Sequence, residues 1–268
     1  MIHLRQKPLL GVPVNWSHPL ARGLVGCYLM NEGGGDKIYD LSGNQYIGSF
    51  ASGAAAPVWT PAKFGTGLYF DGSDDWLGQA KCPVSGYPFT LSAWFNTTDT
   101  AATSDHHILT LRGVSSDTYY GIAVRYNTFK GIAIARNTNT SYASTLKTVN
   151  DGKWHNITAV FESATSRTVY LDGVYQATST SSVTFSGTAW YVGSRGGAGF
   201  FNGLIDNANV WNRALSASEI AQLYREPFCM FDRPSIGLLY TPPTGGQTIL
   251  DYERSHRGVA RGVMVGVA

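Results

Sequence analysis

The sequence predicts an all-β protein, an antiparallel two-sheet sandwich with one short C-terminal helix and an extended tail. Two observations carry this expectation. Charged residues are 14% of the 268, against about a quarter in an average domain, while glycine (31 residues) and aromatic residues (13%) are plentiful. Apolar and polar residues alternate over short segments, each closed by Gly, Asn, Asp or Pro, which is the period of half-buried strands joined by tight turns. A chain of this length buries a full core as a single sandwich.

In chain order, residues 1–19 read as an N-terminal arm, 20–225 as the folded domain and 226–268 as the tail. Leu24 to Met30 is the first strand, and Asn31-Glu32-Gly33-Gly34-Gly35 is too glycine-rich to continue it. Phe89, Leu91, Ala93 and Phe95 share one face of a later strand and should point to the core. His107 to Arg112, Tyr119 to Tyr126 and Gly131 to Arg136 read as three more strands. Trp154 to Phe161 and Arg167 to Leu171 follow, the latter running into Asp172-Gly173, a hairpin signal. Trp190 to Gly193 and Leu204 to Trp211 close the domain. Ser216 with Glu219 three residues later is a capping box, and Ile220, Leu223 and Tyr224 fall on one face of the helix it starts. The helix is expected at an end of the sandwich, and Pro227 stops it. Beyond it, Pro234, Pro242, Pro243, Gly245 and Gly246 leave no room for a second core.

A formal net charge of +2 gives no global field to gather nucleic acid, so no nucleic-acid partner is expected. No run approaches the roughly 20 apolar residues of a membrane span, and Met1 to Leu10 lacks a signal-peptide core, so membrane insertion is not expected and synthesis in a cytoplasm is. Cys27, Cys82 and Cys229 form neither a disulfide framework nor a zinc pattern, and read as reduced thiols.

An ordered series of motifs spans residues 20–225. It begins with Gly23-Leu24-Val25-Gly26-Cys27-Tyr28, Asp40-Leu41-Ser42-Gly43-Asn44 and Phe64-Gly65-Thr66-Gly67-Leu68-Tyr69-Phe70-Asp71-Gly72. It continues with Phe89-Thr90-Leu91-Ser92-Ala93-Trp94-Phe95, Trp154-His155-Asn156-Ile157-Thr158, Val169-Tyr170-Leu171-Asp172-Gly173, Phe201-Asn202-Gly203-Leu204-Ile205-Asp206 and Asn212-Arg213-Ala214-Leu215-Ser216. Together these resemble the laminin G-like jelly-roll domains of the concanavalin A-like lectin/glucanase superfamily. The opening, Arg5 to Gly11 and Asn15 to Leu20, is similar to the start of such proteins encoded by tailed bacteriophages. The superfamily contains lectins, glycosidases, adhesion modules and virus structural parts, so the fold alone does not fix function.

Glycoside hydrolysis needs two carboxyl groups roughly 5 to 9 Å apart across the bond. The resemblance implies that a glucanase would carry Glu-x-Asp-x-x-Glu on one strand, and none of Glu32, Glu162, Glu219, Glu226 and Glu253 begins that pattern. Asp74-Asp75 reads as a solvated pair with diverging side chains. His106-His107 lacks a further ligand at zinc spacing, and no nucleophile elbow is present. No enzymatic activity is expected. The resemblance also implies a candidate calcium site, with Asp206 near the Asp40–Asn44 loop and Asp40, Asn44 and Asp206 as oxygen ligands. Alternation groups Asp206 with Leu204, Ala208 and Val210 on the apolar side, where an ionised carboxylate needs a partner, either calcium or backbone amides of that loop.

Two function classes remain. In carbohydrate recognition, Tyr119, Tyr120, Arg125, Tyr126 and Asn127 would supply ring platforms and hydroxyl-binding groups, or they are ordinary cross-strand pairs. In assembly, the domain is a subunit of a larger homo-oligomeric particle and the tail is its connector. Val259 to Val267 would add as a strand to an exposed edge, and Arg254, Arg257 and Arg261 would meet an acidic surface. The leading expectation is a bacteriophage virion subunit, a capsid decoration or tail protein that presents surface for assembly or host glycan contact. The alternative is a calcium-dependent carbohydrate-binding module, extracellular and outside a virion.

Overall fold

The alternation seen in the sequence resolves into sixteen strands in the computed structural model, which describes residues 7–100, 104–115, 117–137 and 139–232. They are β1 Leu24–Tyr28, β2 Lys37–Ile38, β3 Gly48–Phe50, β4 Val58–Ala62, β5 Gly65–Asp71, β6 Leu77–Gln79, β7 Phe89–Asn96 and β8 His106–Arg112. Then come β9 Tyr119–Val124, β10 Lys130–Arg136, β11 Thr140–Thr148, β12 His155–Ser163, β13 Ser166–Leu171, β14 Val174–Ser179, β15 Ala189–Val192 and β16 Asn202–Trp211, with helix α1 over Ala217–Arg225. Strands β2 to β6, β11 and β14 have no counterpart in the sequence reading. The expected edge strand Val259 to Val267 and the arginines Arg254, Arg257 and Arg261 lie outside the described residues.

The strands form two antiparallel sheets. The first has the order β14-β13-β12-β7-β16-β5-β4, with β1 added to the second half of β16; the second runs β11-β10-β9-β8-β15-β6-β3-β2. The chain is thus an all-β jelly-roll sandwich with one short helix. Its core lies between the sheets. Phe89, Leu91, Ala93 and Phe95 point inward as expected, opposite Phe161, Ala159, Ile157 and His155 in register. Phe89 stacks on Phe161 with centroids 4.6 Å apart.

The outer face of the first sheet is also covered. Leu20, Leu24, Val160, Trp211, Leu215, Ile220, Leu223 and Phe228 make a second apolar cluster there. Helix α1 lies against this face rather than at an end of the sandwich: Tyr224 stacks on Trp94 at 5.3 Å. Its capping box forms as read, and Arg213 grips Glu219 through two bonds of 2.7 and 3.0 Å. Strand-like pairing of Val14 with Phe231 joins the arm to the segment after the helix, with Asn15 N donating to Met230 O at 2.8 Å.

Strand β16 changes partner along its length. Asn202 to Ile205 pair with β5, and Ala208 to Trp211 pair with β1. The switch is a bulge between Asp206 and Asn209, with Asn207 in the left-handed region at φ 49°. One inserted residue exchanges the two faces. Ile205, Ala208 and Val210 therefore face the core. Asp206, grouped in the sequence with Ala208 and Val210, instead pairs with Trp94, and the alternation argument fails at the bulge.

Candidate functional site

Four strands of the second sheet, β8 to β11, turn a row of polar and aromatic side chains away from the core. In β9 the alternation sends Tyr120, Ile122 and Val124 inward and leaves Tyr119 and Ala123 on the outer face with Ile132 and Ile134 of β10. The hairpin register sets Arg136 opposite Tyr119 and Thr140 opposite Arg136, with Tyr142 opposite Ile134 in turn. Gly121 keeps this floor low, since a Cβ there would stand 2.7 Å from Leu109 O. The result is a groove of about 440 Å³ with Ser104, Asp105, His107 and Arg195 along its other side.

The polar groups of the groove are fixed before any ligand arrives. Arg125 Nη1 donates to Asp105 Oδ2 at 2.7 Å, and its guanidinium lies 4.6 Å from the Tyr142 ring centre and 5.2 Å from that of Tyr126. Asp105 Oδ1 also accepts from Tyr126 N at 3.3 Å. Arg195 sits 5.1 Å over the Tyr119 ring. Arg195 and Arg136 both approach the exposed Asp117 carboxylate, at 3.4 and 3.6 Å. A hydrogen bond donated to the Tyr119 side chain raises the Arg136 guanidinium pKa further, so it stays charged. On the floor, His107 Nδ1 meets Thr110 Oγ1 at 3.0 Å and the ring edge packs on Tyr119. Burial, with Arg195 and His106 adding to it, pulls His107 down to about 3, so the imidazole is neutral.

Of the five residues expected to bind a glycan, the structure brings Tyr119, Arg125 and Tyr126 into this groove. Tyr120 points the other way, is fully buried, and donates its hydroxyl to Thr184 O. Consecutive strand residues face opposite sides, so Tyr119 and Tyr120 never share a surface. Asn127 is exposed in the β9–β10 turn and does not line the groove. The sequence reading missed Asp105, His107, Arg136, Tyr142 and Arg195. Folding the hairpin about residues 125–130 would have set Arg136 beside Tyr119; Arg195 comes from a glycine-rich loop with no local signal.

Asp40, Asn44 and Asp206 have different partners. Asp40 accepts from Cys27 N at 3.0 Å, Ser42 N and Ser42 Oγ at 2.8 Å and Tyr46 N at 3.1 Å. Asn44 bonds to Ser42 Oγ at 3.0 Å. Asp206 Oδ2 accepts from Phe64 N at 3.1 Å, and Oδ1 lies 2.5 Å from Lys7 Nζ. Among the described residues, no group that bonds Asp40 also bonds Asp206. Asp74 and Asp75 lie in the loop after β5 as the sequence reading has them, Asp74 exposed but Asp75 buried; with Asp71 they bring carboxylate oxygens within 4.8 Å of one another, and Asp75 Oδ2 accepts from Asp71 N. A second groove of about 440 Å³ runs beside β11 and β14, where His155 is held between Asp172, at 2.8 Å, and Asp151, at 3.1 Å.

The two-sheet antiparallel jelly-roll sandwich defines the fold class of the protein. A family model for a laminin G-like domain of the concanavalin A-like lectin/glucanases superfamily matches residues 68–221, and the chain belongs to that superfamily. No curated protein sequence matches it. Among solved structures it is similar to domain 4 of an extracellular GH43 arabinanase from Geobacillus stearothermophilus, in complex with arabinotriose, with 16% identity, a TM-score of 0.63 and coverage of 75% of this chain and 98% of that one. It is also similar to Trypanosoma rangeli sialidase, at 18% identity and a TM-score of 0.59, over 78% of this chain but only 33% of that one. The receptor-binding domain of botulinum neurotoxin type G matches at 14% identity and a TM-score of 0.55, over 75% of this chain and 51% of that one. At these identities the likenesses show the fold alone.

Proposed function

We propose that the domain is a non-catalytic glycan-binding module that holds saccharides in the β8–β11 groove. The observation that carries this is Arg125, clamped by Asp105 with its guanidinium against the rings of Tyr126 and Tyr142. Tyr126 and Tyr142 are 37% and 43% exposed, so each still offers ring surface to a sugar face. Three guanidinium groups supply donors for hydroxyls or for an acidic substituent, and their rotamer freedom is already spent on contacts within the protein. Asp105 is the one carboxylate among the described lining residues, and it is bonded to Arg125. Hydrolysis would require a second one across the bond. A similar domain of an arabinanase carries arabinotriose, which supports the saccharide class without naming the sugar.

The test is a glycan array followed by titration calorimetry on the best saccharide. Tyr142→Ala and Arg125→Gln should each weaken binding about tenfold or more, a loss of roughly 1.4 kcal/mol, while Asn127→Ala should leave it unchanged. Silence across a broad array, or binding indifferent to both groove variants, would defeat the proposal.

The same module is read as a virion subunit, displayed on a capsid or tail. This is favoured by the phage-like opening and by a C-terminal segment rich in proline and glycine. Mass spectrometry of purified particles tests it: a fixed copy number supports the reading, and absence from particles refutes it.

A further inference from the structure

We infer that the ammonium of Lys7 is the resident cation of an oxygen-lined site on the first sheet, and that a divalent cation binds there only when the lysine is removed. Lys7 Nζ has three oxygen neighbours. It lies 2.5 Å from Asp206 Oδ1 and donates to Met30 O at 3.1 Å and to Thr66 O. An ammonium has three donors, so its capacity is filled. The Lys7 side chain is 5% exposed and that of Asp206 is 0% exposed. Asp206 Oδ1 has no hydrogen-bond partner other than this ion pair among the described residues. Burial pulls the lysine pKa down and pushes the carboxyl pKa up, and each is partly offset by the other's charge.

The backbone is shaped to make this cage. Met30 leaves β1 with φ 54°, and Asn207 follows Asp206 with φ 49° at the point where β16 changes partner. Non-glycine residues adopt this region only where surrounding structure enforces it. Gly67 lets β5 come close, since a Cβ there would stand 2.9 Å from Ile205 O. Three chain segments thus turn a carboxylate and two carbonyl oxygens toward one point. Carboxylate and carbonyl oxygens are the donor chemistry of a hard cation.

The positive charge at that point is delivered by the chain's own N-terminal arm. Asn31 Nδ2 donates to Pro8 O at 3.0 Å, which fixes the arm next to the lysine. A calcium ion does not fit with the ammonium in place, because the two cations would share the Asp206 carboxylate and the same two carbonyl oxygens, with Glu32 the one further carboxylate that acts on the ammonium among the described residues. The expectation of calcium at Asp206 is therefore replaced by a covalently tethered cation, which makes the domain independent of metal and docks the arm in one step.

The test uses the full chain, its Lys7→Ala variant and a Lys7→Ala/Asp206→Asn double variant, melted in EDTA and in millimolar calcium chloride. Wild type should melt at the same temperature in both. Lys7→Ala should melt roughly 10 °C lower in EDTA, as expected for a buried charge left alone. Calcium should recover about 5 °C of that loss and give a calorimetric binding isotherm. The double variant, with no charge in the cage, should ignore calcium. The inference falls if calcium raises the wild-type melting temperature, if Lys7→Ala melts like wild type in EDTA, or if Lys7→Ala is destabilised but binds no calcium.

Discussion

Acidification should weaken this fold chiefly through His107, on the floor of the groove. Its imidazole is 1% exposed and its pKa is held at about 3, against 6.5 for a free histidine. A depressed histidine pKa means that below pH 6.5 the unfolded chain takes up a proton that the folded chain refuses. Stability is therefore lost as pH falls from 6.5 toward 3. Each unit is worth about 1.4 kcal/mol, so acidifying from pH 6.5 to 4.5 costs about 2.5 kcal/mol from this group. For a domain of this size that is a fall in melting temperature of about 5 to 10 °C. His106 is shifted in the same direction by burial and contributes with the same sign. Comparison with His107→Gln separates the two, because His106 remains in both proteins. The variant loses the ring contact with Tyr119 and should melt below wild type at pH 7.5. The gap should then narrow by about 5 °C or more at pH 4.5, because only wild type pays the protonation cost there. Parallel melting curves over that range would refute a neutral, buried imidazole at position 107.

Two further outcomes follow from the structure. His155 works in the opposite sense: its bond to Asp172 raises its pKa despite partial burial. The stabilisation from that pair is present below pH 6.5 and is lost as pH rises through the folded value, so Asp172→Asn should lower the melting temperature more at pH 6 than at pH 9. Equal losses at the two pH values would count against it. Tyr120→Ala empties a fully buried site among Tyr87, Phe89 and Phe185 and should cost about 3 to 5 kcal/mol by urea denaturation. A loss under about 1 kcal/mol would mean that this ring is not core.

The parts of the fold legible in the sequence are those set by local rules. Strand β7 was readable because its alternation is unbroken, and helix α1 because Ser216 and Glu219 carry the capping chemistry themselves. Strands β2, β3 and β6 are two or three residues long and have no period to detect. Two placements differ from the sequence reading, one because alternation was not applied and one because it was broken. Tyr119 and Tyr120 were assigned to one surface although neighbouring strand residues oppose each other, and the bulge at Asn207 reversed the parity that had placed Asp206. The contacts that define the groove and the cation cage are long-range. Arg195 reaches Tyr119 across 76 positions and Lys7 reaches Asp206 across 199, as their residue numbers show.

The placement of the groove follows from how the two sheets are covered. The first sheet carries the arm, helix α1 and the segment around Phe228 to Phe231 on its outer face, held by the Lys7–Asp206 pair, the Arg213–Glu219 pair and the apolar cluster beneath. That face holds the segments that flank the sandwich in the described chain, residues 7–20 and 228–231. Among the described residues, the outer side of the second sheet carries the small cluster of Tyr119, Ala123, Ile132 and Ile134, with the polar and aromatic groups of the groove above it. On the proposed glycan-binding reading, Asp105 and the two tyrosine rings already hold Arg125, so binding need not order that side chain first. The donors of the groove are thus set in advance, on the sheet opposite the one to which the Lys7 segment is tethered.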